Sequence, residues 1–119
     1  VFDGNKVKKG ATISAVGSYL PVMQELDPVA LTRASKIFFE STDAVLSESG
    51  DILNPLENGT ITKDDFSGEL GQVINNEILG RENDEEIIVF KTVGIAVQDV
   101  VTAKKIYDKA IEKNVGTQW

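Results

Sequence analysis

Two places in the chain put polar residues directly behind an apolar run, and these are where chemistry could sit. Ser14-Ala15-Val16-Gly17-Ser18-Tyr19 closes a run of small and β-branched residues, and Lys91-Thr92 follows Ile87-Ile88-Val89-Phe90. If both runs are strands of a parallel sheet, both places lie at carboxyl ends, where open α/β sheets bind ligands. Gly17 has no side chain and would let backbone N–H groups approach a flat ring or a ribose. Taken alone, it reads more readily as a turn. Thr92 fits a ligand contact or a helix cap for the segment after Gly94 equally well, and Lys91 fits a contact or a solvated charge. Tyr19 brings a phenol, a poor base near neutral pH but a good donor to a carboxylate or an imine. A tyrosine packed at a loop edge accounts for it as well.

Other candidates have plainer explanations. Glu25 and Asp27 could form an acid/base pair, but Asp27 immediately precedes Pro28, the signature of a helix start. Glu25 is expected to hold the loop through backbone N–H groups. Asp64-Asp65 and Asp84-Glu85-Glu86 lack the alternating oxygen ligands and glycine of a calcium loop, so they read as solvated faces and no metal site is expected. The chain has no cysteine and no histidine, which excludes disulfides, thiolate nucleophiles and imidazole chemistry within it.

The elements that must position these residues follow from pattern. Ala11 to Val16 reads as a short strand closed by Gly17. Asp27-Pro28 opens a short helix carrying Val29, Leu31 and Ala34. Lys36-Ile37-Phe38-Phe39-Glu40 reads as a buried strand. Ser41 caps a further helix that buries Val45 and Leu46 and ends before Gly50. Asn54-Pro55 and Asn58-Gly59 mark the stretch from Asp51 to Gly59 as loop. Thr62 and Asp65 suggest a capping box, and behind it Leu70, Val73, Ile74 and Ile78 predict a helix closed by Gly80. Ile87 to Phe90, apolar on both faces, reads as a central parallel strand. From Val97 to about Lys113, apolar Val100, Ala103, Tyr107, Ala110 and Ile111 recur at helical spacing. That stripe is expected to pack against the sheet or against a further domain. The Lys-rich opposite face reads as solvated exterior.

Three strands separated by helices define an α/β fold, a Rossmann-type parallel sheet with flanking helices. Three strands make a thin sheet for a freestanding domain, so the chain reads as part of a larger one. At 119 residues it is one domain's worth of chain. Its 19 acidic and 12 basic residues give a formal charge of −7, which repels phosphate backbones and argues against a nucleic-acid partner. No apolar run approaches the roughly 20 residues needed to cross a bilayer, and no signal peptide opens the chain. A cytoplasmic protein without a membrane partner is expected.

Two long stretches carry a resemblance. Ile13-Ser14-Ala15-Val16-Gly17-Ser18-Tyr19-Leu20-Pro21-Val22-Met23-Gln24-Glu25-Leu26-Asp27-Pro28 and, after Gly80-Arg81, Glu86-Ile87-Ile88-Val89-Phe90-Lys91-Thr92-Val93-Gly94-Ile95-Ala96-Val97-Gln98-Asp99 resemble segments of the ornithine cyclodeaminase and mu-crystallin family, in the family's order. Leu70-Gly71-Gln72-Val73-Ile74 between them is similar too. The resemblance implies that residues 1–119 are the C-terminal part of a Rossmann-type NAD(P)-binding domain. The family's glycine-rich phosphate turn and its substrate and dimerisation domain have no counterpart here. Gly68-Glu69-Leu70-Gly71 is wrongly spaced for that turn and falls in the expected helix.

The resemblance also assigns roles. It makes Ser14, Ala15, Val16, Gly17, Ser18 and Thr92 cofactor contacts, with Gly17 bordering the nicotinamide and Thr92 near its carboxamide. It puts Tyr19 on the substrate side, where cyclodeaminases of the family carry Asp, and Met23 where such members carry a nearby Lys. That departure favours hydride transfer to or from an amino or imino acid, as in an amino-acid dehydrogenase or ketimine reductase, over conversion of ornithine to proline and ammonia. A non-catalytic binder of NADPH or a small ligand, of mu-crystallin type, is the further alternative. NAD or NADP is the implied cofactor, and a homodimer the implied assembly of the complete protein. The chain taken alone, without a phosphate turn, could equally bind no cofactor.

Overall fold

The computed structural model describes residues 1–117; the last two positions of the expected 1–119 unit lie outside the described residues. Four strands form one parallel sheet in the order β1 (Thr12–Ala15), β4 (Ile88–Lys91), β2 (Lys36–Phe39), β3 (Phe66–Glu69). The helices are α1 (Pro28–Thr32), α2 (Thr42–Glu48), α3 (Gly50–Glu57), α4 (Leu70–Ile74) and α5 (Ala96–Lys113). The expected α/β class with parallel crossovers is the one observed.

Three strands fall where apolar and β-branched residues cluster. Strand β4 is central, pairing with β1 through Ala15↔Lys91 and with β2 through Phe39↔Lys91. Parallel strands covered by helices need apolar residues throughout, and Ile37, Phe38, Phe39, Ile88 and Val89 are all buried. Ala15, Ile37, Phe39 and Val89 join one core with Leu31 from α1, Val45 from α2 and Ile52 from α3.

The helix starts also follow local chemistry. The Asp27 carboxylate accepts from Val29 N at 3.0 Å, capping α1 with Pro28 at its first position. Ser41 caps α2. Ser49 then ends α2 and starts α3 at once, so Gly50 opens a second helix where a simple stop was expected.

Two expectations fail. The stretch from Asp51 is helical through Glu57, with Pro55 inside α3. The lost backbone hydrogen bond is outweighed by burial of Ile52 and Pro55 in the core. The Thr62–Asp65 box exists, with Thr62 N donating to Asp65 Oδ2 at 2.7 Å, but it heads only a single 3₁₀ turn. A strand, β3, follows in place of a helix, held to β2 by its ladder and by Phe66 packed edge-on against Phe39 at 4.9 Å between ring centres. Gly68 therefore lies on a strand, at φ 124°, not in a helix. The helix behind it is only α4, because Asn76 turns left-handed at φ 60° and takes Ile78 out of the helical stripe.

The last helix is α5, Ala96–Lys113. It forms as expected and ends at Asn114, left-handed at φ 52°. None of its residues is buried, so its apolar stripe does not pack against the sheet.

Candidate functional site

The register sets the site. Ala15, Lys91 and Phe39 lie in one row across β1, β4 and β2, so Val16, Thr92 and Glu40 begin the carboxyl edge together. Thr92 N donates to Ala15 O at 3.1 Å and Glu40 N to Lys91 O at 3.2 Å, carrying the ladder one residue beyond the strands. The two stretches singled out by residue type, 75 or so positions apart in sequence, thus meet at one edge of the sheet.

Alternation along β1 sorts its candidates. Ala15 points into the core, while Ser14 and Val16 point outward. Those two line a small cleft of about 250 Å³ with Val1, Phe2, Ile13, Ala15, Glu25 and Leu26. Val16 is 63% exposed and Tyr19 54%, so both are open to a ligand. Ser18 is buried, and its hydroxyl donates to Met23 O at 2.8 Å while accepting from Asp51 N at 3.4 Å. Ser18 and Ala15 therefore have only backbone to offer.

Gly17 has a partner internal to the loop. Its N–H donates to Glu25 Oε1 at 3.0 Å, and a Cβ there would stand 2.0 Å from Glu25 Oε2. The room a missing side chain provides is taken by the Glu25 carboxylate. The loop-holding role expected for Glu25 is the one observed.

Sequence reasoning missed the element that seats this loop. The amino end of α3 grips residues 18–26: Asp51 Oδ1 accepts from Glu25 N at 2.7 Å and from Leu26 N at 2.9 Å, and Gly50 N donates to Leu20 O at 3.2 Å. Asp51 Oδ2 faces Lys91 Nζ at 3.3 Å, and both side chains are completely buried. Lys91 is thus neither a solvated charge nor an exposed contact. It lies on the core face of β4 two residues beyond Val89, and its ammonium ties that strand to the loop through Asp51. A lysine closing an apolar central strand was the one available signal that a buried acid must exist elsewhere.

Thr92 is also buried. Its hydroxyl donates to Glu40 Oε2, and its Oγ1 accepts from Gly94 N at 2.9 Å. The hydroxyl organises the turn after β4 but does not cap α5, whose N-cap is Ile95 without a side-chain bond. Asp27 accepts from Gly4 N at 2.8 Å and then from Val29 N, and these bonds hold its carboxyl below the usual carboxylate range. It is structural. Among the described residues no acidic cluster could hold a metal ion. Asp64 and Asp65 line a polar cleft beside Ser35, at the end of the sheet away from this edge.

A parallel sheet whose strand ends converge on a glycine-containing loop and a buried hydroxyl defines an open α/β fold with those residues at the carboxyl edge, where such sheets bind ligands. Residues 1–114 match the model of the ornithine cyclodeaminase/mu-crystallin family, and the chain belongs to that family. It is 50% identical over 111 residues to a delta(1)-pyrroline-2-carboxylate reductase of Bacillus cereus, covering 93% of this chain and 34% of that protein. The structure of Thermococcus litoralis delta(1)-pyrroline-2-carboxylate reductase in complex with NADH and L-proline superposes with a TM-score of 0.88 at 38% identity, covering 100% of this chain and 36% of that one. An archaeal alanine dehydrogenase dimer with bound NAD gives a TM-score of 0.78 at 39% identity, over 93% of this chain and 34% of its own. The chain spans about a third of the length of the relatives it matches.

Proposed function

We propose that this chain is the later part of a Rossmann-type NAD(P)-binding domain, in an enzyme that moves hydride between a nicotinamide and the α-carbon of an amino or imino acid. The observation that carries this reading is the shared row of strand ends, which sets Val16, the Gly17 loop and Thr92 along one edge. The residues there suit the cofactor: an exposed valine gives a flat ring an apolar wall, and Thr92 gives a polar group beside it. When bound, the nicotinamide supplies or accepts the hydride.

The chain's own part is to position. Ser14, Ala15, Val16, Gly17, Ser18 and Thr92 form the cofactor edge, with Ser18 and Ala15 contributing backbone. Tyr19 stands on the substrate side, its phenol free to donate to a carboxylate or imine nitrogen. Glu25 and Asp51 hold the loop that carries it. Relatives described as acting on imino and amino acids, and one crystallised with NADH and L-proline, support this reading. In the complete protein, NAD or NADP is the cofactor and a homodimer the assembly, as in the archaeal alanine dehydrogenase dimer. Its compartment is the cytoplasm; no helix among the described residues is long and apolar enough to cross a membrane.

The test uses the complete protein that contains this chain. Steady loss of NADPH or NADH absorbance with Δ1-pyrroline-2-carboxylate is the expected result. Release of ammonia and proline from ornithine, with no net change in cofactor, would overturn it in favour of cyclodeamination. Cofactor binding without turnover of any cyclic imine would support a binder in place of an enzyme.

A further inference from the structure

Thr92 and Glu40 lie one residue beyond the adjacent strands β4 and β2 at the carboxyl edge, 52 residues apart in sequence, and their side chains meet. A hydroxyl has one proton and two lone pairs. An ionised carboxylate can only accept, so the Thr92 proton is committed to Glu40 Oε2. One lone pair of Thr92 takes the Gly94 N–H at 2.9 Å, and Glu40 Oε2 accepts from that same N–H at 3.2 Å. Glu40 is itself fixed, through its backbone N–H on Lys91 O. What Thr92 has left for a ligand is a single lone pair. It can accept but not donate.

The geometry points to Glu40 as a positioning residue that sets cofactor selectivity. By holding the Thr92 proton, it makes the site recognise a ligand N–H, here the carboxamide –NH2 of a nicotinamide, and discriminate against a ring substituent with an oxygen but no N–H. This rests on the reading that Thr92 borders the nicotinamide. Glu40 touches no reacting atom in this scheme; it acts through Thr92.

The probe is a pair of reduced dinucleotides, NAD(P)H and its 3-acetylpyridine analogue, which keeps the carbonyl and replaces –NH2 by methyl. Affinities of both for the complete protein are measured by nicotinamide fluorescence, with thermal unfolding of each variant alongside. The wild-type protein is expected to prefer the carboxamide by about 10-fold, the worth of one hydrogen bond. Glu40→Ala and the longer Glu40→Met should bring the two affinities together, mostly by weakening NAD(P)H. Glu40→Gln, which keeps an acceptor oxygen, should restore part of the preference. Thr92→Val should abolish it, and the double variant should add nothing. A merely structural Glu40 would weaken both dinucleotides equally and leave their ratio alone. Should Thr92→Val lose the preference while Glu40→Ala and Glu40→Met keep it, the inference fails and the functional reading stands. If the wild-type protein binds neither dinucleotide, the functional reading fails and the inference goes with it.

Discussion

The loop at the carboxyl edge and the last helix are built in opposite ways. Residues 17–27 form no helix or strand, yet side chains pin the loop's backbone along its length. Gly17 N–H meets Glu25, the Ser18 hydroxyl meets Met23 O, and Glu25 and Leu26 N–H meet Asp51. Helix α5 is regular over 18 residues, ion-paired along its polar face by Lys104–Asp108 and Lys109–Glu112, and buries none of its side chains. Val97, Val100, Ile106 and Tyr107 are each 60% exposed or more. Regularity and order of packing are therefore separate things. A helix needs only its own backbone bonds and a favourable sequence, whereas an irregular loop is held only by what surrounds it.

If the loop owes its shape to α3 and β4, damage there should be severe. Lys91→Met removes the cation facing Asp51 at 3.3 Å and leaves a buried carboxylate served only by two backbone N–H groups. A loss of about 3–5 kcal/mol is expected in denaturant unfolding. The double variant Lys91→Met/Asp51→Asn should recover much of it, because no charge is then left unpaired. Recovery is the decisive comparison, since equal losses in both proteins would mean the pair is not what holds the loop. Gly50→Ala comes next. Its Cβ would stand 2.1 Å from Met23 O and 2.4 Å from Pro21 O, and neither backbone carbonyl can move without moving the loop. About 2–3 kcal/mol should be lost, together with earlier proteolysis between residues 17 and 27.

The same contrast explains what could be seen in the sequence. Strands β1, β2 and β4 showed themselves because each is a compact apolar or β-branched run, and α5 because a stripe at helical spacing needs no outside reference. Asp27-Pro28 and Ser41 were legible because caps act over two or three residues. Strand β3 was not, since Phe66-Ser67-Gly68-Glu69 offers one large apolar residue and is a strand only by pairing with β2. Helix α3 was hidden behind Asn54-Pro55, a turn signal that burial of Ile52 and Pro55 overrides. At the site, residue type and family resemblance brought Gly17 and Thr92 forward. Glu25, the partner of Gly17, lies only eight residues on and was legible, but the partners of Lys91 and Thr92 were out of reach: Asp51 is 40 positions before Lys91, and Glu40 lies 52 before Thr92. Lys91 is ambiguous in sequence because exposure of a lysine depends on an acid that only the fold brings near.

The helix side of the comparison predicts a small effect. In the chain of residues 1–119 alone, Val100→Lys should change unfolding stability by no more than about 0.5 kcal/mol, as expected of a site 67% exposed. A loss of 2 kcal/mol or more would mean that α5 packs on something in solution, and the contrast with the loop would collapse.

The smallest effect lies at the far end of the loop, where Asp27 joins it to α1. Gly4 N–H and then Val29 N–H lower the Asp27 carboxyl below its unfolded value of about 3.9. A carboxyl depressed on folding favours the native state fully above the unfolded value and loses that advantage as pH falls through the lower, folded one. Stability should therefore be insensitive to this group at neutral pH and decline below about pH 4. Asp27→Asn keeps an acceptor for one of the two N–H groups but cannot titrate. The difference in stability between the two proteins should be constant above pH 5 or so and shrink in more acidic solution. A difference that stays flat down to about pH 2 would show that the Gly4 and Val29 bonds hold the protonated acid as well as the anion, and that the loop's grip on α1 is geometric, not electrostatic.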